Sequence, residues 1–460
     1  MIGSMTIAQL QQDMAPQLKA IANGESHSFN CVCTDSRAVN AGDLFVALRG
    51  PHFDGHQYLA DAQRAGAIGA LVDSYEPACS LAQLQVADTT LGLGELARLN
   101  RERFTGPVVA ITGSSGKTTV RTMVTGILRG EHDRAVLSTQ GNFNNHIGVP
   151  LTLLRLNGDE ECAVIEMGAS AIGEIAYLCE LARPDVALIN NVMSAHLEGF
   201  GSLTGVADAK AEIYQGVALD GCCVINLDDP FAAGWLAQLH NRSHISFSLT
   251  NASADCYASD VESRGLTTYF NLHLRGRVLA ISLPAVGLHN VSNALAAASC
   301  AHAVGASDAA ITFGLNTFSP VPGRMNIKSG LNGVRVIDDS YNANPGSMRA
   351  AIDVLADMPG DRILVIGDMG ELGADAHLLH AELGVYAASK KLDAVFSCGE
   401  LAQVVSDNFV GVSKHFSTHK DLIAHLQAVT LGAGCTVLIK GSRSTQMDIV
   451  VRALTDEETQ

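Results

Sequence analysis

At 460 residues the chain is too long for a single core and long enough for about three domains of ordinary size. Its 47% hydrophobic content is ample for burying them, and a net charge of −17 argues against nucleic acid or an anionic membrane as principal partner, since both are bound through a basic face. The eleven cysteines contain no C-x-x-C, and neither close pair, Cys31/Cys33 or Cys222/Cys223, has a second half nearby to complete a zinc site, so free thiols of a reducing cytoplasm are expected.

The opening residues lack a basic segment followed by an apolar one, and no run approaches the roughly 18 apolar residues that a membrane helix needs. A cytoplasmic protein is therefore expected. Residues 42–48 predict a strand, 58–65 a helix and 68–72 a second strand. A helix over 91–104 then leads into Gly106-Pro107, a seam that closes a first unit at residues 1–106.

From residue 107 the pattern alternates: strand 108–111, helix to 129, strands 135–138 and 163–167, helix 172–182, strand 186–190, a helix from 203, and strand 223–226. That order predicts an α/β unit, a doubly wound, mostly parallel sheet. Residues 245–283 switch to period-two alternation and predict a β-rich antiparallel extension, closed by an alanine-rich helix over 290–304. Two prolines and a glycine between Phe318 and Arg324 place the second boundary, giving a central unit of 107–319. Beyond it, strands 334–338, 362–366, 394–397 and 437–440 alternate with helices, predicting a Rossmann-like domain over 320–460.

The most informative string follows strand 108–111: Thr112-Gly113-Ser114-Ser115-Gly116-Lys117-Thr118-Thr119. Glycines at a strand-to-helix turn let backbone N–H groups face an anion, a lysine there reaches the outer phosphates of a nucleotide, and the next hydroxyl suits Mg2+. The strict P-loop pattern wants glycine six residues before the lysine, where this chain has Ile111. A plain glycine-rich turn would explain the glycines, but not the ordered arrival of strand, loop, lysine and hydroxyl pair.

Other residues suited to this chemistry stand at strand ends, where an open α/β sheet places its ligands. Glu166 ends strand 163–167, where a carboxylate can hold a cation; a solvated strand-end acid explains it equally well. His196 follows strand 186–190, although a lone histidine is more often structural. Lys210 lies among small apolar residues, and by composition a snorkelling side chain is favoured over a functional one. Asn290, Asn293, Arg324, Asp339 and Asn342 form a third group: asparagine can read a purine edge, arginine can bind phosphate and aspartate can accept a ribose hydroxyl, with turn or cap roles of comparable weight.

Taken in order, these strings resemble the Mur ligase family, ATP-dependent amide-forming enzymes of bacterial cell-wall synthesis. The resemblance covers nearly the whole chain and rests also on Thr34-Asp35-Ser36-Arg37, on Gly141-Asn142-Phe143-Asn144-Asn145-His146-Ile147-Gly148, on Glu166-Met167-Gly168-Ala169, on Asp338 to Pro345, on Gly367-Asp368-Met369-Gly370-Glu371-Leu372-Gly373 and on Lys440-Gly441-Ser442-Arg443. The family's cradle also lacks the first glycine, which removes the objection at Ile111. Within the family the chain looks most like the branch that adds D-alanyl-D-alanine to UDP-N-acetylmuramoyl-tripeptide; no Asp-Asn-Pro-Arg string marks the diaminopimelate-adding branch.

The resemblance implies an N-terminal domain for the UDP end of the substrate, a central ATPase and a C-terminal domain that closes over the site. It implies an acyl-phosphate route, ATP and two Mg2+ as cofactors, a monomer, and a role in peptidoglycan synthesis and so in cell shape and division. Matched position by position, Lys117, Glu166, His196 and Lys210 are implied as catalytic. Thr118, Glu166, His196 and a Lys210 carrying a carbamate are implied as metal ligands. Gly113 to Thr119 with Asn290, Asn293, Arg324, Asp339 and Asn342 are implied as ATP contacts, and Ser36, Arg37, Asn142, Asn144, Asn145 and Ser170 as substrate contacts. Two alternatives remain: another Mur-type or folylpolyglutamate-type ligase, and a nucleotide-dependent switch or binding module. A nicotinamide-dependent dehydrogenase is disfavoured, since Gly367 to Gly373 is not G-x-G-x-x-G.

Overall fold

The computed structural model describes residues 1–14, 18–22, 27–130, 135–194, 197–429 and 431–455. Three sheets organise them. The N-terminal sheet has the order Leu18–Ala22, Ala82–Val86, Gly69–Val72, Leu44–Val46, Val32–Cys33, parallel except for its first strand. The helix Thr89–Glu102 that follows is started by Asp88, whose carboxylate accepts from the N–H groups of Thr90 and Leu91 and so satisfies two donors the helix cannot satisfy itself. Its Leu93 and Leu96 share one apolar cluster with Leu153, Leu178 and Leu181, so this helix packs against the central unit as well as joining it.

The central sheet has nine strands: Val136–Ser138, Cys162–Glu166, Val108–Thr112, Val186–Ile189, Cys222–Asn226, Ser243–Ser248, Cys256–Arg264, Thr267–Leu274 and Arg277–Leu283. The first seven are parallel, and the seventh, Cys256–Arg264, also opens an antiparallel meander with the last two. Strand Val108–Thr112 is buried on both faces, with Val108 and Ala110 in one cluster and Val109 and Ile111 in the other, which explains why it is a continuous apolar run rather than an alternating one. Ser243–Ser248 corrects the sequence expectation of an antiparallel strand there: it pairs in parallel with Cys222–Asn226, and the antiparallel part starts later.

The C-terminal sheet runs Asn326–Ser329, Arg335–Asp339, Cys435–Lys440, Asp361–Gly367, Ala394–Cys398, Val412–Phe416, parallel apart from its first strand. Helix Pro345–Ala356 starts on a capping box between Asn344 and Ser347, with Pro345 in the first turn where its missing N–H costs nothing. Strand Val412–Phe416 and helix Asp308–Asn316 escaped the sequence reading; the strand is largely exposed along Val412 to Lys414 and lacks an apolar period. All eleven cysteines are free thiols. Among the described residues no helix is long and apolar enough to cross a membrane.

Candidate active site

The site forms where the parallel strands of the central sheet end. Strand Val108–Thr112 lies between Cys162–Glu166 on one side and Val186–Ile189 on the other, and the chain leaves it first toward one side and later toward the other. That crossover leaves a crevice at the C-terminal strand ends, where ligands of such sheets bind. Residues 113–116 fill its floor.

Gly113 has φ +150° and Gly116 φ +76°, backbone that favours glycine. A Cβ on Gly116 would fall 2.5 Å from Asn190 Nδ2 and 2.6 Å from Asn293 Oδ1. The loop is braced from the next strand end: Ser114 N–H donates to the Asn191 carbonyl at 2.9 Å, Ser115 N–H to Asn191 Oδ1 at 2.9 Å, and Met193 N–H to Ser114 Oγ at 2.9 Å. Helix Lys117–Arg129 then begins at Gly116 with no side-chain cap, and N–H groups left open at a helix start favour an anion. Lys117 Nζ donates to the Gly113 carbonyl at 2.7 Å, and burial pushes its pKa down, with Glu166 opposing and Arg324 adding to the shift.

Glu166 is 2% exposed. Asn144 Nδ2 donates to its Oε1 at 2.9 Å, Arg121 Nη1 stands 3.2 Å from its Oε2, and its own N–H donates to Thr139 Oγ1 at 3.0 Å. Oε2 is buried without a hydrogen-bond partner among the described residues. That oxygen and the buried Thr118 hydroxyl are hard donors of the type Mg2+ takes. Among the described residues no three His, Cys, Asp or Glu side chains converge, so the donor set fits a Mg2+ completed by phosphate oxygens and water rather than an all-protein cage. His196 lies outside the described residues.

Lys210 corrects the snorkelling expectation. It is 2% exposed on helix Leu203–Gln215, its Nζ lies 6.0 Å from the centre of the Phe200 ring, and among the described residues no carboxylate pairs with it. Burial, with Lys117 adding, lowers its pKa to about 7. The ammonium cannot reach water, so only a partner of opposite charge or loss of its proton can relieve it.

On the opposite wall, Asn293 and Asn290 stand on helix Leu288–Ala303. Asn190 Nδ2 donates to Asn293 Oδ1 at 2.9 Å, and Asn290 Nδ2 donates to the Val286 carbonyl at 2.8 Å. The C-terminal unit contributes Arg324, whose guanidinium carbon is 4.2 Å above the Tyr341 ring and whose Nε is buried without a hydrogen-bond partner among the described residues. Asp339 pairs with Lys440 at 2.6 Å and accepts the Met325 N–H at 3.1 Å, while Asn342 Oδ1 accepts the Ala343 N–H at 2.9 Å and its carbonyl accepts from Lys440. The two units touch here: a Cβ on Gly346 would meet Met193 Sδ at 2.5 Å.

The expected substrate residues are distributed differently. Asn144 serves Glu166, Asn145 Oδ1 accepts from the N–H groups of Ile147 and Gly148, Ser170 is tied to Glu174, and Asn142 is exposed. Ser36 is half-buried, and Arg37, 88% exposed, closes on Asp35 in the N-terminal unit, its guanidinium holding the Asp35 carboxyl at about 2. Sequence reading passed over Arg121, Asn190, Asn191 and Tyr341. A signal existed for the first three: Arg121 stands four residues after Lys117 on one helix face, and the asparagines directly follow a buried strand.

Three family models match the chain: "Mur ligase family, catalytic domain" over residues 28–101, "Mur ligase middle domain" over 111–301 and "Mur ligase, glutamate ligase domain" over 323–443. The UDP-N-acetylmuramoyl-tripeptide–D-alanyl-D-alanine ligase of Escherichia coli K12 is 43% identical over 457 residues, 99% of each chain. A crystal structure of MurF from Acinetobacter baumannii superposes with a TM-score of 0.92 at 34% identity, covering 99% of this chain and 100% of that one. MurF ligase from Thermotoga maritima in complex with ADP superposes with a TM-score of 0.83 at 30% identity, covering 92% and 96%.

Proposed function

This chain belongs to the Mur ligase family, and from that premise we propose that it joins D-alanyl-D-alanine to UDP-N-acetylmuramoyl-tripeptide at the expense of ATP, giving the UDP-pentapeptide used in peptidoglycan synthesis. The observation that carries the reading is the concentration of positive groups, Lys117, Arg121, Arg324 and helix N–H donors, around one buried carboxylate, Glu166, at the mouth of a phosphate cradle. In this reading residues 1–106 hold the UDP end, with Ser36 and Arg37 as contacts. Residues 107–319 bind ATP, and residues 320–460 close over the site.

Amide formation from a carboxylate needs activation, because an oxide ion is not a leaving group. The tripeptide's terminal carboxylate attacks the γ-phosphorus of ATP, the bond to the β-γ bridging oxygen breaks, and ADP leaves. The dipeptide amine then adds to the acyl carbon, loses a proton, and phosphate departs. The first step brings two anions together, so preorganised positive charge is what the protein must supply. Lys117 and Arg324 bind the transferring phosphoryl group, Asn290 and Asn293 face the base, and Asp339 and Asn342 face the ribose.

Thr118 and Glu166 would hold Mg2+, with His196 and Lys210 at a second ion, and ions held there would supply charge that neutralises the phosphate oxygens. A free ammonium at Lys210 would repel such an ion. With its pKa near 7 the amine is in part unprotonated at neutral pH, the form that adds CO2 to give a carbamate and release a proton. The carbamate reverses the sign of the charge and offers oxygen donors. Asn142, Asn144, Asn145 and Ser170 border the path of the tripeptide. The enzyme is cytoplasmic and monomeric in this reading, and its product supports cell shape and division.

The test is phosphate release from Mg·ATP with UDP-N-acetylmuramoyl-tripeptide, with and without D-alanyl-D-alanine. Release that requires both substrates, with a UDP-pentapeptide by mass, supports the reading. Release indifferent to the dipeptide, or none, overturns it in favour of a sister ligase or a nucleotide switch. Lys210→Ala is expected to be inactive and partly rescued by short carboxylates; a fully active variant rejects the carbamate.

A further inference from the structure

Strand Asp361–Gly367 ends in the loop 368–373, on the same edge of the C-terminal sheet as Asp339 and Lys440. Beneath the loop lies His380, on helix Ala376–Ser389 and 0% exposed. Its Nδ1 is 2.7 Å from the Ala376 carbonyl, which can only accept, so Nδ1 carries the proton. Nε2 is therefore the bare nitrogen, and it accepts the N–H of Met369 at 3.0 Å. The next N–H, of Gly370, donates to Ser442 Oγ at 2.8 Å, and Ser442 N–H donates back to the Asp368 carbonyl at 2.9 Å. The two clasped N–H groups immediately precede Glu371, a non-glycine residue at φ +62°, backbone that persists only where its surroundings impose it.

The loop's position gives this arrangement a purpose. A Cβ on Gly373 would fall 3.6 Å from Glu198 Cγ, on the short helix Leu197–Phe200 whose Phe200 ring faces Lys210. At its other end Ser442 lies two residues beyond Lys440, the partner of Asp339. The loop thus spans from the proposed ribose contact to the Lys210 side of the cleft, where an amine attacking an acyl phosphate has to arrive. We propose that His380 is a positioning residue for the acceptor step, its neutral imidazole holding the loop 368–373 in the shape that receives the dipeptide; the proposal rests on the ligase reading above. Burial keeps the ring neutral by lowering its pKa, with the Ala376 carbonyl and Asp368 opposing and His377 assisting. A second ring proton would set N–H against N–H at Met369.

Two variants test it. In His380→Leu the KM for D-alanyl-D-alanine should rise roughly tenfold, the loss of about one hydrogen bond, while the KM for ATP stays within about twofold. His380→Gln, whose amide oxygen can accept from Met369, should recover most of the difference. Amide exchange at Met369 and Gly370 should accelerate roughly tenfold in the leucine variant and not in the glutamine variant, a readout independent of the substrate assigned. If His380→Leu does not fold, Ser442→Ala should show the same KM split and the same acceleration at Gly370. An unchanged dipeptide KM with unchanged exchange, or ATP and dipeptide KM rising together, overturns the proposal. Failure of the wild-type enzyme to form product would instead overturn the ligase reading, with the exchange measurement still deciding the clasp.

Discussion

Arg121 Nη1 stands 3.2 Å from Glu166 Oε2, and the same nitrogen donates to the Gly141 carbonyl at 3.0 Å. Both side chains are more than nine-tenths buried, so each charge depends on the other. Burial pushes the Arg121 pKa down and Glu166 opposes that shift. The pair connects helix Lys117–Arg129, proposed to bind phosphate, to the strand end that carries the proposed metal ligand.

Arg121→Met should strand the Glu166 carboxylate in the interior. Removing one partner of a buried pair costs about 3–5 kcal/mol, seen as a lowered melting temperature. Mg2+ with a nucleotide analogue should restore more stability to this variant than to the wild type, because cation and ligand both bind the folded state. Equal ligand-induced shifts in the two proteins would show that Arg121 does not stand in for bound positive charge.

Asn144→Asp replaces the amide donor to Glu166 Oε1 with a second carboxylate at the same spot. Turnover should fall by about two orders of magnitude, with dependence on free Mg2+ shifted to higher concentration, since the new charge displaces the carboxylate that Asn144 orients. Asn144→Ala should be milder. An aspartate variant with wild-type Mg2+ dependence would place Asn144 outside the metal site.

Gly116→Ala forces a methyl against Asn190 Nδ2 and Asn293 Oδ1 from a backbone at φ +76°. The Asn190–Asn293 bond has to open and the cradle shifts with it. Nucleotide affinity should drop at least tenfold, about 1.4 kcal/mol, measured by titration with ADP, while the secondary structure content is unchanged.

Lys210 gives a pH signature. Its pKa of about 7 lies below the unfolded lysine's, so between those values the unfolded chain binds the extra proton. Its burial penalty is therefore full below about pH 7 and disappears as pH rises toward about 10.4. Apo-protein stability should increase across that window, and Lys210→Met should flatten the rise and be more stable at neutral pH by several kcal/mol, on the order of 1.4 kcal/mol per pKa unit. Chemical denaturation at pH 7 and pH 9 checks it; parallel pH profiles would refute the burial argument.

What the sequence determined by itself is whatever depends on neighbours along the chain. The run Val108 to Ile111, the glycines that follow and Lys117-Thr118 announce a strand, a glycine turn and a helix start, because these are local conformations, and the alternation of strands and helices announces a parallel sheet. Tertiary structure decided everything that depends on residues remote in sequence. Lys210 looked like a snorkelling side chain until the fold enclosed it beside Phe200, and Glu166 could have been a solvated acid until Arg121 and Asn144 closed on it from another helix and another loop. The direction of strand Ser243–Ser248 was set by its pairing with Cys222–Asn226, not by its own pattern. His380 carried no signal at all, since a buried histidine becomes a hydrogen-bond acceptor only through what lies across from it, and burial, charge and tautomer are properties of an environment that the chain creates only when folded.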